Sequence, residues 1–276
     1  MCTAVLSVEP GLPVLLAGVR DELADRAWDP PGRHWPQFPD LVGGLDRLAG
    51  GTWLAVSPPH RRVACVLNGR GQAAPAATRR SRGILPLRAA AGQPVDRSEL
   101  PDLDPFLLLT AEPGLVVMQG WDGRDLTERR LPSGLHFVVN SGLASDLTGA
   151  ATEPTTAAGP TTATGPGAAD SAPSRDGREH ELGRIAHFAG LFQAAARPAP
   201  LPGQPMQEAW GAWLPLVEGD GLDRQDNRAL IVRRDLCGGQ IWGTSSISLV
   251  ALSADGVLRY DFTARPGNPA VWYPVL

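Results

Sequence analysis

A cysteine stands second in the chain, in Met1-Cys2-Thr3, and an apolar run follows it. Methionine aminopeptidases remove an initiator methionine when the next side chain is small. The residue left behind would carry a thiol and a free α-amino group together. Their pKa values, about 8.5 and roughly 7.7–8.0, let one residue supply both nucleophile and base near neutral pH. That is the chemistry of N-terminal-nucleophile hydrolases. The alternative is an ordinary strand cysteine, buried and inert.

The elements around Cys2 bear on that choice. Thr3–Val8 and Val14–Val19 are β-prone and flank the turn Glu9-Pro10-Gly11-Leu12-Pro13, which reads as a β-hairpin. A hairpin symmetric about Gly11 sets Val8 opposite Val14 and Cys2 opposite Arg20. Opposed residues share a face at about 5 Å between Cβ atoms, so Arg20-Asp21-Glu22 lands beside the terminus. A guanidinium there favours the thiolate, and a carboxylate can hold the α-ammonium or orient its proton. A one-residue slip would turn Arg20 away, leaving a solvated strand end.

Composition narrows the classes. The 276 residues suffice for one large domain, and a net charge of −4 argues against a nucleic-acid partner. All 25 basic residues are Arg, which excludes a Schiff-base lysine and a P-loop lysine. Cys2, Cys65 and Cys237 lie far apart without CxxC spacing, giving neither a disulfide framework nor a zinc site. Cys65 reads as a small core residue and Cys237, before two glycines, as inert. The five histidines show no HExxH or paired spacing, so no metal is expected. No basic leader or membrane-length apolar segment is present, which sets the expectation of a reducing cytoplasm.

Strands are expected at Thr52–Val56, Arg62–Leu67, Phe106–Thr110, Leu115–Trp121, Asp125–Leu131 and Leu135–Val139, with a short helix capped by Ser81. Residues 148–177 are rich in Ala, Thr, Gly and Pro, and read as a disordered insertion within a single domain spanning 1–276. Glu179–Arg197 carries Leu182, Ile185, Ala186, Ala189, Phe192 and Ala196 at helical spacing. Further strands follow at Ala229–Arg233, Ser246–Leu252 and Val257–Phe262, the last two around the turn Ala254-Asp255-Gly256. Strands at both ends with helices between them indicate a layered α+β fold.

Other residues have double readings. Asn68, in Leu67-Asn68-Gly69-Arg70, is either an oxyanion donor at a strand end or a turn residue, and Asn140-Ser141 is placed alike. The loop Arg26–Pro36, with Trp28 and Trp35, either walls a pocket or packs its rings on the core.

Together, Met1-Cys2-Thr3, Arg20-Asp21-Glu22, Asp40 with Gly50-Gly51-Thr52-Trp53-Leu54, Leu67-Asn68-Gly69-Arg70, Ser81-Arg82-Gly83, Pro105-Phe106, Asn140-Ser141 and Trp242-Gly243-Thr244-Ser245-Ser246 stand in an order that resembles the NRDE-motif family, also called the transport-and-Golgi-organisation family. The resemblance implies a four-layer αββα sandwich similar to N-terminal-nucleophile hydrolases. It implies Cys2 as nucleophile, Arg20 and Asp21 tuning it, and Asn68 and Asn140 binding an oxyanion. Val19 stands where the family's name-giving motif has Asn, Ser245 where Arg is usual, and Ala144-Ser145-Asp146 where Pro-Trp-Lys is common.

Three functions compete. One is a Cys-dependent hydrolase of small non-peptide linear amides, which needs no cofactor. Another is a non-catalytic carrier of haem or a similar hydrophobic cofactor, although no C-x-x-C-H attachment motif is present. The third is a partner-binding relic of the fold. Oligomeric state is not specified by any of these features.

Overall fold

The computed structural model describes residues 2–149, 175–254, 258–267 and 270–276. After Cys2 the chain forms β1 (Thr3–Val8) and β2 (Val14–Leu23), turning at Gly11, whose φ of 73° suits a residue without a side chain. It continues through β3 (Trp28–Gly32), β4 (Val42–Asp46), β5 (Leu54–Ser57) and β6 (Arg62–Asn68). A short helix, α1 (Ile84–Ala90), precedes β7 (Phe106–Glu112), β8 (Leu115–Trp121) and β9 (Leu126–Arg130). Next come β10 (Gly134–Val139), β11 (Gly142–Leu143), α2 (Ala144–Gly149) and α3 (Arg175–Ala194). The short helices α4 (Met206–Trp210) and α5 (Trp213–Val217) lead to β12 (Arg233–Asp235), β13 (Ile241–Leu252), β14 (Leu258–Thr263) and β15 (Tyr273–Pro274).

Among the described residues the strands make two antiparallel sheets. The first runs β11-β10-β1-β2-β13-β14-β15, with β12 also paired to β13; the second is a meander from β3 to β9 in chain order. In the hairpin, Thr3 faces Val19 and Ser7 faces Leu15, which is the register symmetric about Gly11.

Three buried clusters separate four layers. Even-numbered residues of β1 and β2, such as Leu6 and Leu16, meet Leu54, Val56, Val63 and Leu67 of the second sheet. The odd-numbered set, including Val5, Leu15, Ala17 and Val19, packs beneath Ile185, Phe188 and Phe192 of α3 and the Trp210 and Trp213 rings. On the far side Ala55, Ala64 and Leu108 support Leu85, Leu87 and Ala90 of α1. The result is a four-layer αββα sandwich. Covered on both faces, β1 and β2 are apolar almost throughout instead of alternating, which is why they read so plainly as strands.

Some details differ from expectation. On α3 the buried face runs through Glu181, Arg184, Ile185, Phe188 and Phe192, while Leu182 is 38% exposed and Ala186 is exposed too. The helix is turned by about one residue, because Arg184 finds partners on β1 and β2, and Glu181 on the loops after β6 and β10, which draws that face inward. Ala229–Val232 is buried without forming a ladder; β12 begins only at Arg233. Its neighbours explain this, since the Asn227 and Ala229 carbonyls accept bonds from α3 side chains instead of from a strand. The helix after Ser81 starts at Ile84 with Gly83 at its cap, and the Ser81 hydroxyl accepts from the Gly83 amide. Of the expected insertion, 148–149 belong to α2 and 175–177 to α3, and 150–174 lie outside the described residues. Most of the Ala254-Asp255-Gly256 turn lies outside them as well. Among the described residues no helix is long and apolar enough to cross a membrane.

Candidate active site

Cys2 sits at the mouth of the sandwich, immediately before β1. Its backbone nitrogen donates to Asn140 Oδ1 at 3.2 Å, and its thiol lies 3.8 Å from the Asp21 carbonyl oxygen. Asn140 reaches it because β10 pairs with β1 and ends at Val139, opposite Thr3. Two residues distant in sequence are thus joined by a single strand pairing.

Arg20 shares the inner face with Cys2. Its guanidinium lies 4.3 Å above the Trp53 ring and 5.9 Å from that of Trp28, and the two indoles pack edge to face with centroids 5.6 Å apart. Cation–π contacts of this kind contribute about 0.5–2 kcal/mol, more when desolvated. Arg20 Nη1 also donates to Ser245 Oγ at 2.9 Å, while Glu22 stands 3.7 Å from Nη2. Ser245 occupies the irregularity where the β13–β2 register shifts between Thr244 and Ser246. Ser245 therefore serves as an anchor for Arg20. Burial lowers the Arg20 pKa, and Glu22 acts against it, yet an arginine stays charged.

Asp21 goes the other way. Strand alternation turns its carboxylate to the helix side, where Arg184 Nη1 lies 3.2 Å from Oδ2 and the Thr244 hydroxyl donates to Oδ1 at 2.6 Å. Arg184 is 1% exposed and also donates to Thr3 Oγ1 and the Ala229 carbonyl. One turn earlier, buried Glu181 accepts from Arg70 Nη2 at 2.8 Å and from the Ser141 hydroxyl. Among the described residues Arg184 Nη2 and Glu181 Oε1 have no partner. Sequence reasoning missed Arg184 and Glu181 because charged positions on an amphipathic helix are read as solvent-facing.

Asn68 ends β6 opposite Phe106, next to the cavity-lining Leu67. The structure thus brings Cys2, Arg20 and Asn140 together. It gives the Asp21 backbone, not its carboxylate, to the sulfur, and sets Asn68 at the adjoining strand end. Trp28 reaches the site through Arg20, whereas Trp35 is buried in the outer core with its indole N–H on the Gly50 carbonyl.

Between the sheets beside Cys2 lies a cavity of about 280 Å³, counting its open mouth. Ala4 and Gly18 form one wall; Trp53, Leu54, Cys65 and Leu67 form the other. Burial raises the Cys2 thiol above its ordinary pKa, while the terminal ammonium and Arg20 pull it down. Cys65 is pushed up to about 12, again by burial first and then by Cys2. Neither thiol is ionised of its own accord at neutral pH, so an attack by Cys2 requires a base.

These layers, with a cysteine at the head of an inner strand, define a cysteine-led αββα sandwich of the kind the motifs implied. Residues 1–110 match the family model described as Transport and Golgi organisation 2. The resemblance in the early motifs is thereby established over that stretch; Asn140-Ser141 and the Trp242 motif lie beyond it. No match to a curated protein was found. Among solved structures, the mutant C2A conjugated bile acid hydrolase from Clostridium perfringens aligns over 100% of this chain and 92% of its own, with TM-score 0.43 and 9% identity. That likeness is too distant to carry a role to any residue.

Proposed function

We propose that the protein, once Met1 is removed, is a cysteine amidohydrolase acting on small non-peptide linear amides. The observation that carries this reading is the placement of Cys2. Its nitrogen is held by Asn140 while its sulfur opens onto a cavity shared with a buried guanidinium. In the processed chain that nitrogen is a free amine, whose pKa of about 8 lets it take the thiol proton as sulfur attacks the amide carbon.

The carbon–nitrogen bond then breaks, the amine proton passes to the leaving nitrogen, and a thioester remains on Cys2. Water, deprotonated by the same amine, attacks the thioester, releases the acid and restores the thiol. Asn140 keeps its side-chain NH2 for the oxyanion, since its oxygen is engaged by Cys2, and Asn68 is the second candidate donor. Arg20 stabilises the thiolate during transfer. The three unpaired cysteines suit a cytoplasmic setting.

A haem-binding reading fits this cavity poorly. Burial disfavours the thiolate that iron would need. His34, His136 and His180 are engaged by backbone carbonyls, and His187 by Asp220. A Soret shift on titration with haem, abolished in Cys2→Ala, would reverse this judgement.

The test combines intact-mass analysis of the N-terminus with labelling by acyl-donor probes. Loss of Met1 and an acyl adduct on Cys2, absent in Cys2→Ala, are expected. Retained Met1, or full turnover by Cys2→Ala of an amide the protein cleaves, would refute the proposal.

A further inference from the structure

The cavity beside Cys2 has a definite shape. Along β1 and β2 its walls comprise two rows, the outer pair Cys2 and Arg20 and the inner pair Ala4 and Gly18. Rows on one face of a strand are two residues apart, so the slot is on the order of 7 Å deep. Thr3 points the other way, to Arg184, and Val19 belongs to the helix-side core; these two contribute backbone alone. Apart from Arg20 at the rim, the side chains that face the slot are aliphatic, sulfur-bearing or indole.

Gly18 marks its inner limit. A Cβ built there would stand 3.4 Å from Leu54 Cδ1 and 3.6 Å from Leu16 Cδ2, so two leucines close the slot just beyond it. The opposite wall carries Cys65, a thiol held protonated by burial and without a role in the chemistry above. A small, polarisable side chain there leaves room that a leucine would fill.

We propose that this slot is a short-chain acyl subsite: it takes an unbranched aliphatic acyl group, propanoyl to pentanoyl in size, with the carbonyl at Cys2 and the leaving amine outside in the mouth. Gly18 and Cys65 set the length limit. The placement of the carbonyl rests on the amidohydrolase reading; the slot and its length limit do not. Each methylene that enters adds up to about fourfold in affinity, as burial of one such group dictates, and the gain ends where Leu16 and Leu54 begin. A long-chain or polycyclic acyl group would have to displace Leu16 and Leu54, which close the slot beyond Gly18.

The experiment measures the rate at which alkyl methanethiosulfonates, from methyl to octyl, modify Cys2, mapped by peptide mass spectrometry. These reagents transfer an alkylthio group to the thiol and release methanesulfinate, so no turnover is needed. Cys237, exposed in the same molecule, is the internal reference. The Cys2 rate relative to Cys237 is expected to climb with each methylene, peak between propyl and pentyl, and fall by tenfold or more at octyl. Gly18→Ala should move the peak to a shorter chain, since its backbone does not need a left-handed φ and the added methyl makes ordinary contacts. Cys65→Ala should move it to a longer one. A flat profile, a steady rise to octyl, or a peak that neither variant moves would overturn the subsite. A parallel run with a butanoyl thioester separates the two claims: a length peak without any acyl-Cys2 would refute the hydrolase reading and leave the slot standing.

Discussion

Replacing Arg184 by methionine probes the polar layer behind the Cys2 hairpin. The Arg184–Asp21 pair is nearly sealed from solvent, with side chains 1% and 0% exposed. Removing the guanidinium leaves the Asp21 carboxylate with Thr244 as its remaining hydrogen-bond donor, and strips the Thr3 hydroxyl and the Ala229 carbonyl of theirs. Breaking one side of a buried pair costs about 3–5 kcal/mol. Because Arg184 Nη2 is already without a partner among the described residues, the loss should fall near the lower end of that range. Against a typical domain stability of about 5–15 kcal/mol this is severe but survivable. Urea unfolding followed by tryptophan fluorescence measures it, provided the m-value is unchanged. The double variant Asp21→Leu with Arg184→Met should recover much of the loss, since it leaves no buried charge unpaired, although Thr3, Ala229 and Thr244 still lack their partners. The exposed pair Arg129–Asp146, about half accessible on each side, supplies the contrast, with a loss of about 0–1 kcal/mol on truncation. A loss below about 1 kcal/mol for Arg184→Met, or a double variant as unstable as the worse single one, would refute this account of the layer.

Two pH experiments follow from the same geometry. The alkylation rate of Cys2 should titrate with a midpoint above that of an ordinary thiol, because burial dominates, and Arg20→Gln should raise it further by removing a charge that favours the thiolate; a midpoint at or below that of a free cysteine in a short peptide would contradict this. His180 is pulled below its ordinary pKa by burial first, with Arg234 and Arg184 adding to the shift and its bond to the Asn227 carbonyl opposing it. The fold therefore favours neutral imidazole, so the contribution is full above the unfolded value of about 6.5 and is lost as pH falls toward the lower folded value. Unfolding experiments between pH 7 and 5 should show a decline in stability that His180→Gln flattens, and an unchanged slope in that variant would count against the assignment.

Much of the site was legible because strand geometry is simple. The turn around Gly11 and the alternation on either side sufficed to place Arg20 opposite Cys2, and the pairing that was expected is the one found. The same alternation already implied that Asp21 must point away from the sulfur, although a charged trio tempts one to treat its members alike. Tertiary partnership was harder to see. Asn140 meets Cys2 only because β10 lies beside β1, a sheet order that local patterns do not encode. Arg184 and Glu181 belong to the buried face of α3 because Asp21, Thr3, Ser141 and Arg70 await them there. Helical periodicity counts apolar residues and has no means of recognising such partners. Residues 42–46 and 206–217 were likewise silent as elements, being short, glycine-bearing or interrupted by proline.

The two faces of β2 divide the work, and that division bears on mechanism. On the inner face Arg20 lowers the cost of a thiolate without being able to accept a proton, since a guanidinium only donates. The outer face holds the Asp21 carboxylate, committed to Arg184 and Thr244 and separated from the sulfur by the strand itself, while on the inner face Glu22 is held by Arg20 and Arg26 at 3.7 and 3.6 Å. The Asp21 carbonyl oxygen and Asn140 Oδ1 complete the polar contacts described around Cys2, and neither is a base near neutral pH. Among the described residues the Cys2 sulfur is bonded to a backbone carbonyl and to no carboxylate or imidazole. In the proposed mechanism the amine exposed by removal of Met1 takes the thiol proton. Under the proposed amidohydrolase reading, processing of the terminus would itself be the activating step, because it would supply the base that the Cys2 thiol needs.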